Sequence, residues 1–78
     1  MPTQQDIPVA LKIDIIEREL NGYLQARYQL ELRRRVAERA KDDRLKESVT
    51  ADLVKVEAAI DQLTEELEAL RAKNEKPN

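Results

Sequence analysis

An apolar side chain recurs at alternating gaps of four and three residues through the second half of this chain. That spacing places one unbroken apolar stripe along one side of an α-helix, with two alternating seam positions. We call this stripe the apolar seam; its members are Val49, Leu53, Val56, Ile60, Leu63, Leu67 and Leu70. The residues between them are mostly charged or small, so a second helix is needed to cover the seam. The pattern therefore predicts helix pairing and an oligomer seam.

Length and composition favour stabilisation by association. Seventy-eight residues form one domain at most, and a chain this short supplies only about 3–5 kcal/mol of core stability. It has no cysteine for a disulfide and no histidine for a structural zinc site. Charged residues make up 38% of the chain and two tyrosines are its only aromatic residues, which excludes a large aromatic core. Ala, Glu, Lys, Leu and Arg dominate, as in long helices and coiled coils.

The first half of the chain predicts a long helix over residues 7–43. Asp6 stands before Ile7 and Pro8, and proline suits the first turn of a helix, so we expect Asp6 to cap it. One helical stripe runs through Val9, Ile13, Ile16, Leu20, Tyr23 and Leu30. A second line, with spacings of four, drifts around the helix through Leu24, Tyr28, Leu32, Val36 and Ala40. So broad an apolar surface is typical of a helix that touches more than one neighbour.

Asn21-Gly22 is a turn-like dipeptide inside this predicted helix. The first stripe keeps its phase across the dipeptide, from Leu20 to Tyr23, which favours a continuous helix over a break. In a continuous helix, Gly22 is either tolerated at about 1 kcal/mol or used for a close contact with another helix.

The two helical patterns do not continue one another. Extending the first stripe predicts seam positions at Ser48 and Ala51, whereas the apolar seam uses Val49 and Leu53, a shift of two positions. Ser48 and Thr50 are residue types that cap helices. We therefore predict a turn over residues 44–49 and a second helix over 50–73, in a single domain spanning 7–74. Residues 1–6 and 75–78 are expected to be disordered. One long continuous helix is the alternative.

A turn centred near Lys46 has a geometric consequence for the first helix. Residues whose numbers add up to about 92 would lie side by side, so the second helix would end opposite residues 18–19. Residues 7–17 would then overhang by about 16 Å of helix. We predict that this apolar N-terminal arm binds a partner or a second copy. Its members are Ile7, Val9, Leu11, Ile13, Ile15, Ile16 and Leu20.

The residue types offer little to catalysis, and we predict a chain that is not an enzyme, with no catalytic, cofactor-binding or metal-binding residues. Histidine and cysteine are absent, and a single glycine cannot form a glycine-rich phosphate loop. The adjacent acids Asp42 and Asp43 lack the alternating ligands of a calcium loop.

An arginine-rich segment over residues 27–46 raises the alternative of nucleic-acid binding, with Arg33, Arg34, Arg35 and Arg39 as the candidate contacts. Interspersed acids leave this segment a net charge of only +4. The Asn-x-x-Ala-Ala segment with which basic-zipper transcription factors read bases is missing. We instead expect these arginines to lie near Asp52, Glu57 and Asp61 in a folded-back hairpin, where they would favour antiparallel packing.

These patterns together predict an all-α protein: an antiparallel hairpin of two long helices that dimerises into a four-helix bundle or a coiled-coil assembly. Two helices alone cannot enclose a core, and a dimer of hairpins covers what they leave in water. Neither a signal peptide nor an apolar run of about 20 residues is visible, so we expect a soluble, cytoplasmic protein with no membrane contact. Its function is predicted to be protein interaction, as in an assembly factor, an adaptor or a small chaperone-like protein.

Overall fold

A computed structural model describes residues 7–75, and it consists of two long helices. Helix α1 spans Val9–Ala40 and helix α2 spans Asp43–Glu75. The two pack against each other along their length as an antiparallel hairpin, so the predicted all-α hairpin is confirmed and the continuous-helix alternative is wrong. Dimerisation into a bundle stays a prediction. Glu75, predicted to be disordered, is the last residue of α2; the other segments with predicted disorder, 1–6 and 76–78, lie outside the described residues.

Helix α1 begins directly after Pro8, whose carbonyl oxygen accepts a hydrogen bond from the backbone N–H of Lys12 at 3.0 Å. The fixed φ of proline suits this position. Asp6, the predicted cap, lies outside the described residues. The helix runs unbroken through Asn21 and Gly22, and Gly22 does not adopt a positive φ. The prediction of a continuous helix across this dipeptide is confirmed.

The turn lies at Lys41 and Asp42, so its predicted position over 44–49 is wrong. Lys41 adopts the left-handed conformation, with φ 57° and ψ 38°. Its N–H donates to the carbonyl oxygen of Glu38 at 3.2 Å, and the N–H of Asp42 donates to that of Ala37 at 2.9 Å. These two bonds form a Schellman motif, which satisfies carbonyls at the end of α1. The left-handed position of that motif is usually glycine, and its absence here hid the turn from the sequence pattern.

Asp42 also starts the second helix. Its side-chain Oδ1 accepts a hydrogen bond from the N–H of Leu45 at 3.0 Å, which is the N-cap interaction. Its carbonyl oxygen accepts from the N–H of Lys46 at 3.0 Å, the first bond of the helical ladder. Ser48 and Thr50, the predicted caps, lie instead inside α2. One residue, Asp42, thus closes α1 through its N–H and opens α2 through its side chain.

The earlier turn changes the register between the helices. Arg71 makes an ion pair with Glu17. A turn at the predicted position would instead have placed Arg71 beside residue 21. Helix α2 therefore reaches further along α1 than expected, and Ile15 and Ile16 share a groove with Ala69 and Leu70. The predicted overhang of residues 7–17 is wrong, because the end of α2 lies beside this segment.

The core is a narrow strip between the helices. Leu30, Val49 and Leu53 form a buried cluster with Val56 packed against it. Ile60 and Leu67 continue the strip towards the open end of the hairpin. Ala37 is buried in the last turn of α1, where the two-residue turn holds the helices close together. Among the described residues, no polar or charged side chain is buried.

Replacing Lys41 with glycine is expected to raise the free energy of unfolding by about 0.5–1 kcal/mol. The Cβ of an L-residue is strained in the left-handed region, and glycine removes that strain at some loss of chain entropy. Urea denaturation followed by circular dichroism measures the change. Lys41→Ala removes the same charge but keeps the Cβ, so equal stability of the two variants would contradict the turn geometry.

Adjacent residues on α2 provide a second test. Leu53 is 5% exposed and Val54 is 63% exposed. Leu53→Ala is expected to lower the free energy of unfolding by about 2–5 kcal/mol, comparable to the whole stability of a chain this short. Val54→Ala should change it by less than about 0.5 kcal/mol. Thermal melts followed at 222 nm compare the two, and coincident melts would show that α2 does not present Leu53 to α1.

Candidate interaction surfaces

The apolar seam faces α1 within the same chain. Four of its members are buried, namely Val49, Leu53, Ile60 and Leu67, and the other three are half-buried, namely Val56, Leu63 and Leu70. The regular spacing of the seam therefore serves the hairpin itself. It leaves little apolar surface on this side of α2 for another molecule.

The predicted N-terminal arm is divided between two faces of α1. Val9, Ile13, Ile16 and Leu20 are half-buried on the side that meets α2. Ile7, Leu11 and Ile15 are exposed, and we call these three the first outer cluster. The arm is thus only partly available for contact with another molecule: Leu11 is exposed on α1, and Ile7 and Ile15 are exposed where they line a groove with α2.

A second set of apolar side chains is exposed further along α1. Tyr28, Leu32 and Val36, the second outer cluster, belong to the line with spacings of four that drifts around the helix. The sequence pattern did not identify them as a surface, because spacing alone does not show which line faces α2. Across the two outer clusters, the exposed fraction of the six side chains is 40–63%.

The two outer clusters are related by a shift of 21 residues: Ile7 to Tyr28, Leu11 to Leu32, and Ile15 to Val36. Twenty-one residues are three heptads, so Leu11 and Leu32 hold equivalent heptad positions on α1, as do Ile15 and Val36; Ile7 lies just before the helix. This repeat is the signal in the sequence from which the second outer cluster could have been found.

Gly22 lies between the outer clusters, in a part of α1 that is open to solvent. A Cβ built on it would meet nothing within 4 Å. The suggestion that Gly22 permits close helix contact therefore does not hold for α2. Within this chain, neither its backbone conformation nor its packing calls for glycine.

The open end of the hairpin carries a shallow groove beside the first outer cluster. Ile15 and Ile16 of α1 line one side of it together with Ile7, just before the helix, and Ala69 and Leu70 of α2 line the other. Lys12 and Glu66 stand at its edges with opposite charges. An apolar floor with charged edges is typical of a surface that contacts another protein.

The four candidate arginines, Arg33, Arg34, Arg35 and Arg39, are exposed near the turn. Among the described side chains, the ion pairs within 4.0 Å are Asp14–Arg18 at 2.8 Å, Glu38–Lys46 at 3.6 Å, and Glu17–Arg71. The predicted pairing of the arginines with Asp52, Glu57 and Asp61 is therefore not formed. Among the described side chains, these four arginines have no acidic partner within 4.0 Å.

The charges nevertheless differ between the two ends of the hairpin. Residues 27–56, around the turn, carry nine bases and six acids. Residues 7–26 and 57–74, which form the open end, carry eight acids and four bases. The molecule thus has a positive turn end and a negative open end.

Within residues 7–75, no three acidic side chains come close enough together to hold a metal ion. Neither helix combines the length and apolar character needed to cross a bilayer. No protein-family model matches this chain, and no curated protein or solved structure matches it significantly. The case for function therefore depends on the surfaces described above.

Proposed function

We propose that this chain is a non-enzymatic helical module that associates with a second copy and acts through protein–protein contacts. The observation that carries the proposal is the distribution of apolar side chains. Among the described residues, six hydrophobic residues are buried, one of them an alanine, while nine large hydrophobic side chains are exposed. The hairpin alone buries five large apolar side chains and leaves nine exposed.

Physical considerations favour association over a stable isolated hairpin. Two helices bury only the strip between them, and chains of this length usually need a disulfide, a metal or a partner. Disulfides are excluded by the absence of cysteine. Each large apolar side chain that a partner covers contributes about 1.5–3 kcal/mol when it becomes fully buried.

The outer side of the N-terminal arm is the surface we assign to this contact. Ile7, Leu11 and Ile15 are exposed next to the groove at the open end. Leu11 and Ile15 lie one turn apart on α1, with Ile7 just before its start, and together they offer an apolar ridge that a facing helix can pack against. Polar residues on the same helix flank the ridge and would form the rim of an interface.

Nucleic-acid binding is the second candidate, and the exposed arginines near the turn favour it. Arginine binds phosphate bidentately, and these four side chains have no acidic partner within 4.0 Å among the described residues. Four acids between residues 27 and 46 reduce the attraction to phosphate. Binding of DNA or RNA at low salt that is lost on changing Arg33, Arg34 and Arg35 to Glu would establish this candidate, and no binding by the unmodified protein would remove it.

Sedimentation equilibrium at micromolar concentration tests self-association. We expect a mass that is a multiple of the 9.0 kDa of one chain. Leu11→Lys should raise the dissociation constant about tenfold or more, because it places a charge on the ridge and removes apolar burial from both copies. Circular dichroism of the same samples checks that the helices persist.

Val54→Lys is the matched control for that variant. Val54 is also an exposed apolar residue in mid-helix, but it lies on α2 and outside the outer clusters. Its replacement should leave the dissociation constant unchanged. A helical protein that sediments as one chain at micromolar concentration would refute self-association, and equal weakening by both lysines would move the contact away from the arm.

A further inference from the structure

We infer that the molecule covering the outer side of α1 is α1 of a second copy, packed antiparallel, with the two-fold axis beside Asn21 and Gly22. The inference rests on the self-association proposed above and specifies its geometry. It follows from the positions of the exposed side chains, from the charges at the two ends of the hairpin, and from the open space at Gly22.

One line of residues runs along α1 on the side opposite α2, at intervals of seven. Its members, all exposed, are Leu11, Arg18, Gln25, Leu32 and, close to the turn, Arg39. In an antiparallel second copy of α1, Leu32 lies opposite Leu11 and Gln25 lies opposite Arg18. An antiparallel copy in this register therefore places leucine against leucine near both ends and arginine against an uncharged hydrogen-bond acceptor near the centre.

The outer clusters match in the same register. Turning α1 end over end about the midpoint between residues 21 and 22 brings Leu11 and Ile15 to the heights of Leu32 and Tyr28 of the second copy, and the start of α1, next to Ile7, to that of Val36. Each outer cluster then covers the other, and the contact occurs twice because the interface is isologous. The first outer cluster thus receives a partner of matching length and apolar character.

Electrostatics decides between the two possible directions. A parallel pair would place Arg18 against Arg18 and would bring the two positive turn ends together. The antiparallel pair brings the positive turn end of each hairpin next to the negative open end of the other. Charges at the edges of a helix pair select orientation in this way, more than they add affinity.

Gly22 supplies an independent observation. Glycine in mid-helix is unfavourable by about 1 kcal/mol relative to alanine, and nothing inside the hairpin requires it. At the two-fold axis, Gly22 of one copy lies at nearly the same height as Gly22 of the other. The absence of a Cβ there lets the two α1 helices approach closely.

The resulting assembly has four helices side by side, in the order α2, α1, α1, α2, with both copies of α1 in the middle. This row differs from a bundle around one common core. It accounts for the apolar residues on both sides of α1 and for the mostly charged or small residues on the outer side of α2.

Single cysteines report the direction and the register, because the natural chain has no thiol of its own. Arg18→Cys and Gln25→Cys are purified separately, mixed in equal amounts and oxidised gently. The inferred register places position 18 of one copy opposite position 25 of the other. Two copies of position 18, or two of position 25, lie about 10 Å apart along the axis, beyond the reach of a disulfide. We expect the mixed disulfide to exceed the half of all dimers that random pairing gives.

Leu32→Lys supplies a second readout that needs no disulfide. It should weaken the dimer as much as Leu11→Lys does, about tenfold or more in sedimentation equilibrium, because the two leucines face each other across the axis. Val54→Lys, on α2 and outside the outer clusters, is again the matched control and should leave the dissociation constant unchanged.

The outcomes separate the two proposals. A dimer that forms the disulfides 18–18 and 25–25 in preference to 18–25 is parallel and overturns the inference. A dimer that forms none of these disulfides, or that Leu32→Lys does not weaken, uses another surface and also overturns it. In both cases self-association itself stands. A chain that sediments as a monomer refutes the proposed self-association, and the antiparallel pair with it, and leaves the outer side of α1 to a different protein.

Discussion

The turn at Lys41 and Asp42 determines the register of all the contacts between the two helices. Two backbone hydrogen bonds to Ala37 and Glu38 end α1, and the Asp42 side chain starts α2 within one residue. With so short a connection, α2 has little freedom to slide along α1. The turn therefore selects which side of α1 is covered by the apolar seam. The opposite side, with its two outer clusters, is exposed as a consequence.

The hairpin was predictable because the apolar seam is regular and because its phase does not continue that of the first half. The position of the turn was not. Its left-handed residue is Lys41, where glycine would have marked the site, and the bonds that stabilise the turn come from the backbone, which side-chain types do not report. Ser48 and Thr50 were assigned as caps because cap-forming residues also occur at exposed positions inside helices. A displacement of a few residues then produced an overhang that the structure does not have.

The surfaces were likewise only partly predictable from the sequence. The N-terminal arm was recognised as apolar, but only the register shows that Val9, Ile13 and Ile16 turn inward, that Leu11 stays outside, and that Ile15 lies exposed at the groove beside α2. The second outer cluster was visible only as a line of residues, not as an exposed surface. The helical period shows which residues share a face of the helix, but not which face meets the neighbouring helix. The arginines were assigned acidic partners that the true register does not bring within ion-pair distance.

Residues 7 and 75 both lie at the end of the hairpin away from the turn, and this has a mechanical consequence. Force applied between residues 7 and 75 peels the helices apart from the open end, loading one turn of contacts at a time. The exposed Glu17–Arg71 pair is among the first to separate, and the cluster of Leu30, Val49 and Leu53 near the turn is among the last. Sequential loading needs less force than breaking all contacts together, so the hairpin is weakest along this direction. Neighbouring molecules that cover both sides of the open end would remove that weakness.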